Sequence, residues 1–138
     1  QRSRVEAYAR QENARPWFAL AEFLNRSVRG ERVYLEMPYS YFLRLDILQR
    51  SQTTAERNAA EESCASRQRV LLEGGFTYFV EPTAEFRWLV LPNRVCPPPV
   101  GYRALETTRA SILMVREPSG QASVMPGPTG SRGTPRPY

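Results

Sequence analysis

The sequence contains no lysine and no histidine, and its single aspartate is Asp46. The chain therefore lacks the usual general base, the usual zinc ligand and the amine that forms Schiff bases. Without a neighbouring base, a serine or cysteine nucleophile would stay unactivated. No glycine-rich phosphate loop and no acid-rich calcium loop is present. We predict that the chain is not an enzyme and that it holds no cofactor, metal or small-molecule substrate.

Long apolar runs are also missing. A membrane-spanning helix needs about 20 apolar residues, and the longest runs here, such as 111–115, fall far short of that length. We therefore expect no transmembrane segment.

Cysteine is scarce, with only Cys64 and Cys96. Two cysteines are too few for a disulfide framework of the kind that small secreted domains use. We expect them to be small buried apolar residues of a reducing compartment, while in a secreted protein they would be free to pair.

Arginine is abundant: all 19 basic side chains are arginines, the net charge is +5 and the isoelectric point is near 9.7. The guanidinium stays charged and binds phosphates or carboxylates through a rigid fork. The composition therefore indicates an anionic partner, such as RNA, an acidic protein surface or anionic lipid. A genome rich in G and C is the alternative explanation, because its codons favour arginine without any selection for binding.

The arginines form three clusters that we predict to bind RNA or a partner. One lies in the N-terminal arm, one around a predicted helix end and one in the tail; their members are Arg2, Arg4, Arg10 and Arg15, then Arg26, Arg29 and Arg32, then Arg132 and Arg136. Arginines in proline- and glycine-rich tails are typical of ribonucleoprotein particles, where each fork holds a phosphate. Protein carboxylates would suit the same forks.

Composition divides the chain into three parts. Residues 1–15 form an arginine-rich arm or helix, residues 16–117 the core domain, and residues 118–138 a tail rich in proline and glycine. The tail has too few apolar side chains to offset the entropy of ordering it, so we expect it to order against a partner.

The first half of the core reads mainly as helix. Apolar residues recur at helical spacing over 17–28, with Pro16 at the first turn and Gly30 as the stop. Alternation over 32–37 predicts a strand that ends at Pro38. Residues 39–50 fit either a strand or a helix, and we favour a helix. A capping box of Thr53 and Glu56 predicts one long helix over 53–73.

The second half reads mainly as strand. Two aromatic runs, 76–81 and 85–91, predict a β-hairpin through Pro82–Ala84. Its aromatic residues Phe76, Tyr78, Phe86 and Trp88 would stack on bases if exposed, but aromatic strands are more often buried. A late strand follows over about 109–115. The fold class is therefore α+β, a small domain with two or three helices on an antiparallel sheet.

The function that fits these features is a non-catalytic structural subunit of a large mitochondrial assembly. We favour a mitochondrial ribosomal protein that contacts rRNA and neighbouring proteins through arginines and extended tails. An accessory subunit of a respiratory-chain complex or ATP synthase is the alternative, and a viral structural protein is a further one. The chain begins at Gln1 rather than Met, which we interpret as a processed N-terminus and hence as a matrix-side protein.

Overall fold

The computed structural model describes residues 15–90 and 94–118, which form a mixed sheet with helices on both faces. The α-helices are α1 (Arg15–Ser27), α2 (Leu45–Gln49), α3 (Thr54–Ala60) and α4 (Cys64–Glu73). The strands are β1 (Arg32–Leu35), β2 (Phe76–Pro82), β3 (Tyr102–Thr107) and β4 (Ser111–Arg116). Two 3₁₀ helices span Ser40–Phe42 and Ala84–Leu89. The predicted α+β class is confirmed.

The strand order is β1-β2-β4-β3. β1 runs parallel to β2, whereas β2 with β4 and β3 with β4 are antiparallel. The expectation of a purely antiparallel sheet is therefore wrong. The parallel pair arises because α2, α3 and α4 carry the chain back to the starting end of the sheet before β2 begins.

Two apolar clusters form the core. α1 lies against one face of the sheet and buries the predicted stripe of Trp17, Leu20, Ala21 and Leu24. The second cluster joins α3 and α4 to side chains of the sheet that include Tyr34 and Phe79. Helices on both faces account for the burial of nearly every residue of β1, as expected for a strand paired in parallel.

The segment predicted as one helix over 53–73 is two helices. The capping box is confirmed: Thr53 accepts a hydrogen bond from the Glu56 backbone, and Glu56 accepts one from the Thr53 backbone. α3 then ends at Ala60, and the Ser63 side chain caps α4 by accepting from the Ser66 backbone. The second cap was the missed signal, because alanine and glutamate alone favour an uninterrupted helix. Gly75, at φ 68°, follows α4 in the left-handed conformation that commonly ends helices.

Residues 39–50 are helical only in part. The chain forms the short 3₁₀ helix Ser40–Phe42 and then α2. Tyr39 precedes them with φ 60°, a left-handed conformation that is uncommon for a residue other than glycine. Its ring stacks on Phe42, which in turn contacts Phe18 of α1 at a centroid distance of 5.0 Å.

The predicted hairpin over 76–91 is wrong. The chain does not return as a strand after β2; residues 84–89 form a 3₁₀ helix. β4 occupies the antiparallel position beside β2, and the Thr83 backbone donates to the Ala110 carbonyl. The hairpin of this domain is β3–β4, and the predicted strand over 109–115 is confirmed as β4.

A register shift between β1 and β2 places Phe76 and Phe79 in the same apolar cluster. An extra residue in one strand of a pair changes the alternation of side chains in this way. Side chains therefore do not alternate strictly at the start of β2.

Each edge of the sheet carries a feature that opposes further strand pairing. On β1, the Gln52 amide both donates to the Leu35 carbonyl and accepts from the Leu35 backbone, at 2.8 Å in each case. On β3, a register irregularity between Ala104 and Glu106 breaks the regular edge. Natural sheets use such devices to avoid aggregation. Within the described ranges, no helix is long and apolar enough to cross a bilayer.

Candidate functional site

Arg32, one of the predicted RNA-contacting arginines, is half-buried and bonds only to groups of its own domain. Its Nε donates to the Arg50 carbonyl, its Nη1 to Glu56 and the Gly74 carbonyl, and its Nη2 to Glu56 and the Ser51 carbonyl. A guanidinium has five N–H donors, and these bonds use all of them. We call this group, with Glu56 and the three carbonyls, the Arg32 clamp.

The clamp also sits over an aromatic ring, with the Arg32 Cζ 4.0 Å from the centroid of Phe76. It joins β1, the turn before α3 and the end of α4 through one side chain. Because no donor remains, the clamp leaves Arg32 without a hydrogen bond to offer a phosphate.

Arg44 and Arg50 serve the end of α1. Arg44 donates to the carbonyls of Asn25 and Val28, and it also pairs with Asp46 at 2.8 Å. Arg50 donates to the Gly30 carbonyl at 2.8 Å. Helix ends leave carbonyls unpaired and carry partial negative charge, so arginine forks satisfy both needs. Gly30 is required here, since its φ is 97° and an added Cβ would lie 2.8 Å from Arg50 Nη1.

Three exposed arginines converge at this same end of α1. Arg26 lies in the last turn of α1 and Arg29 two residues beyond its end, and the Arg50 side chain donates to the carbonyl of Gly30, the next residue. Arg29 and Arg50 each spend one bond on a backbone carbonyl, which leaves most of their donors facing solvent. We call Arg26, Arg29 and Arg50 the arginine patch.

The arginine patch differs from the predicted cluster in one member. Arg50 stands where the sequence suggested Arg32, and only the fold brings it there. Arg15 is exposed at the start of α1. The remaining predicted contacts, Arg2, Arg4, Arg10, Arg132 and Arg136, lie outside the described residues, as do the arm before Arg15 and the tail after Pro118.

A second arginine–glutamate group lies in the interior, at the ends of β1 and β2. Arg87 Nη1 is 2.7 Å from Glu36 Oε1, while Arg67 Nη1 is 3.4 Å from Glu36 Oε1 and 3.3 Å from Glu81 Oε1. The exposed fraction of these side chains is 5% for both arginines, 6% for Glu36 and 12% for Glu81. Glu36, Arg67, Glu81 and Arg87 together are the charge cluster.

The charge cluster is assembled by topology. Glu36 follows β1 and Glu81 lies near the end of β2, and the ends of parallel strands meet at one edge of a sheet. Arg67 projects from α4 and Arg87 from the 3₁₀ helix that follows β2. No local signal in the sequence marks these four residues as neighbours.

Glu56 of the Arg32 clamp and Glu81 of the charge cluster have opposite pKa shifts. In the Arg32 clamp, the hydrogen bond from Arg32 lowers the pKa of Glu56 to about 2. In the charge cluster, burial raises the pKa of Glu81 above its usual value, although Arg67 opposes the shift. The difference follows from solvation. At Glu81, burial destabilises the charged carboxylate more than the long contact to Arg67 stabilises it.

A disulfide joins Cys64 and Cys96, so the expectation of two unpaired thiols is wrong. The bond ties the start of α4 to the extended segment 94–100, which we call the strap. The strap is held further by Arg94, which donates to the Glu61 carbonyl, and by Gln68, whose amide pairs with the backbone of Val100. The two cysteines are 32 residues apart, and spacing alone could not show that they meet.

The strap borders two clefts beside the charge cluster. One, of about 260 Å³, is lined by Arg67, Cys64, Ala65, Gln68 and residues 97–100 of the strap. The other, of about 250 Å³, lies beside Arg87 and Glu81. Within the described ranges, no group of histidine, cysteine, aspartate or glutamate side chains is placed to hold a metal ion.

The four aromatic candidates for base stacking are divided by the fold. Phe76 and Phe86 are buried, Tyr78 is half-buried, and Trp88 is exposed. Two of the four therefore belong to the core and offer no ring face to a base. The stacking hypothesis is left with Trp88 as its exposed ring.

Comparison with protein-family models, with curated proteins and with solved structures finds no match to this chain. Its function is therefore argued from its own residues.

Proposed function

We propose that the chain is a non-catalytic structural subunit that docks on an anionic partner through the arginine patch. The observation that carries this proposal is the division of the arginines between those whose donors are bonded within the domain and those whose donors are mostly free. Arg32 and Arg44, although partly exposed, are held by several carbonyls and carboxylates of the domain, whereas Arg26, Arg29 and Arg50 are exposed at one end of α1 with most of their donors free.

The interior chemistry supports the non-catalytic part of the proposal. Catalytic acids and bases work with a free proton site in a cleft. The buried glutamates of this domain instead share two arginines, and both cysteines are bonded to each other. These groups hold the strands, the helices and the strap together, which is a structural role.

The anion that the arginine patch would bind depends on which of the predicted assemblies contains the chain. In a ribosomal subunit the arginine patch would contact rRNA phosphates, and in a respiratory-chain or ATP synthase subunit it would contact carboxylates of a neighbouring protein. The mitochondrial ribosomal assignment stays a prediction, and its RNA contact is the version that we test first.

Binding to a single-stranded RNA oligonucleotide tests the proposal. Replacing Arg26, Arg29 and Arg50 with glutamine should weaken binding and reduce the slope of log affinity against log salt by about 2, given roughly 0.7 per phosphate contact. A matched triple variant at exposed arginines elsewhere, Arg57, Arg69 and Arg103, changes the net charge equally. Equal losses in both triple variants would contradict a defined patch. Binding of polyglutamate but not of RNA would favour the protein-carboxylate version.

The disulfide favours a second candidate on one point. Disulfides persist in oxidising compartments and on virion or cell surfaces, and they are rare where thiols are kept reduced. The Cys64–Cys96 bond is therefore a specific observation in favour of the viral structural protein, or of any assembly outside a reducing compartment, over a matrix-side location.

Mass spectrometry of the native protein, alkylated before denaturation, decides this point. A peptide pair joined through Cys64 and Cys96 would support the oxidising compartment. Two alkylated thiols in the native protein would favour the mitochondrial matrix as its location.

A further inference from the structure

The Arg67 guanidinium is buried, yet it is only partly bonded. Its hydrogen bonds to Glu36 and Glu81 both come from Nη1, and both are long, at 3.4 Å and 3.3 Å. Among the residues that the structure describes, neither Nε nor Nη2 of Arg67 has a hydrogen-bond acceptor. Among the described residues, the buried side-chain nitrogen or oxygen without a hydrogen-bond partner is Trp17 Nε1, so these two donors of Arg67 are not sealed from solvent and stay open to a ligand.

Nε and Nη2 form the side of the guanidinium that binds a carboxylate through two parallel hydrogen bonds. Arg67 lines the cleft of about 260 Å³ between α4 and the strap. The rest of that cleft is mainly apolar, with walls of Cys64, Ala65 and residues 97–100. Its other polar side chain, Gln68, has its amide engaged with Val100.

We propose that this cleft is a binding site for a carboxylate that carries a small apolar group, with the Nε and Nη2 edge of Arg67 as its receptor. The volume, just below the usual range for ligand pockets, limits the ligand to a small acid or the last residue of a chain. The strap supplies the apolar wall, and the disulfide fixes its distance from α4. This site uses residues distinct from the arginine patch, so its test is independent of the test of the function proposed above.

The surrounding charges make a carboxylate acceptable. The charge cluster contains two arginines and two glutamates, and the pKa of Glu81 is raised because burial disfavours its charged form. An incoming carboxylate therefore meets a guanidinium whose own acidic partners neutralise it incompletely, at distances beyond those of a strong charged hydrogen bond.

Hexanoate and hexanamide, titrated into the oxidised full-length protein and followed by NMR, provide the test. Hexanoate should bind with a Kd of about 1 mM or tighter and hexanamide at least about tenfold more weakly, because only the acid completes the paired hydrogen bonds. Acetyl-Ala-Ala-Val with a free or an amidated carboxyl terminus distinguishes the end of a chain from a free acid.

Two variants locate the site. Ala65→Leu fills the cleft from an exposed helical position and leaves the charge cluster intact, so it should weaken hexanoate binding at least about tenfold. Ala55→Leu makes the same change on α3, away from the cleft, and should bind as the wild type does. Arg67→Lys keeps the charge but loses the fork and should weaken binding by a similar factor.

Equal affinity for the acid and the amide, an unchanged affinity in Ala65→Leu, or no binding of hexanoate at about 10 mM would each overturn the proposal. Because Ala65→Leu does not disturb the ion pairs, that variant keeps the test decisive even if Arg67→Lys fails to fold.

Discussion

The Arg32 clamp and the charge cluster pair the same residue types in contrasting surroundings. In the clamp, one arginine satisfies every donor against a carboxylate and three carbonyls, with side chains that are a quarter or more exposed. In the charge cluster, two arginines share two glutamates in the interior, and two of its three contacts exceed 3.2 Å. Complete hydrogen bonding makes the clamp stabilising. The charge cluster loses more solvation of its charged groups on folding, and its longer contacts compensate less for that loss.

This contrast shows that the presence of an ion pair does not by itself mean that the pair stabilises the fold. Replacing a buried ion pair with apolar side chains is often neutral or favourable, while removing one partner is strongly unfavourable. The clamp depends less on charge and more on the planar fork, since most of its partners are neutral carbonyls. Three experiments, in order of decreasing expected effect, distinguish these two kinds of ion pair.

Removal of Arg87 should have the largest effect. Arg87→Met leaves Glu36 buried with only the 3.4 Å contact to Arg67, and we expect the free energy of unfolding to fall by about 3–5 kcal/mol. Urea denaturation monitored by circular dichroism measures it. The double variant Glu36→Leu, Arg87→Met should recover much of the loss. If the double variant is less stable than the single one, the charge cluster is a net stabilising element and the contrast with the clamp fails.

A smaller effect is expected for Arg32→Lys. Lysine keeps the charge but has three donors on a flexible stem, so several carbonyls of the clamp lose their partner and we expect a loss of about 1–3 kcal/mol. Arg26→Lys, on the exposed arginine patch, is the matched control and should change stability by no more than about 0.5 kcal/mol. Equal stability of the two variants would show that the fork of Arg32 is dispensable.

The smallest and most specific effects concern pH. The pKa of Glu56 is lowered to about 2, so its contribution is present above its usual pKa near 4.5 and is lost as pH falls towards 2. The pKa of Glu81 is raised, so its contribution is present below 4.5 and is lost as pH rises through the folded-state pKa. Between pH 2 and 8, Glu56 should make the free energy of unfolding fall as pH decreases, and Glu81 should make it fall as pH increases. Glu56→Gln should remove the first dependence, and Glu81→Gln should remove the second. The same slope change in both variants would contradict the assignment.

Local signals predicted much of the fold. The stripe on α1, the strand β1 and the capping box are each set within a few neighbouring residues, and each is found, although β1 ends at Leu35 and is buried on both sides. The failures are long-range. β3 is exposed along most of its length and shows no alternation, and the aromatic run after β2 gave way to β4, which took the pairing position from another part of the chain.

The candidate sites were harder to predict for the same reason. The sequence marked Arg26 and Arg29 as neighbours at a helix end, but Arg50 joins them only through the turn at Gly30, and Arg32 leaves them for the clamp. Cys64 meets Cys96, and Arg67 meets Glu36 and Glu81, across separations that no spacing rule connects. Composition determines which functional groups the chain has, and topology determines which arginines are bonded within the domain.

The division of the arginines between fully bonded and largely free side chains is tested most directly by NMR of the arginine Nε–H groups. Signals of the oxidised protein would be followed while a single-stranded RNA oligonucleotide is added at low salt. The signals of Arg26, Arg29 and Arg50 should shift, and that of Arg32, whose donors are all bonded within the domain, should stay in place and exchange slowly with water. A shift at Arg32 as large as those of the arginine patch, or exchange as fast as that of Arg26, would contradict the account.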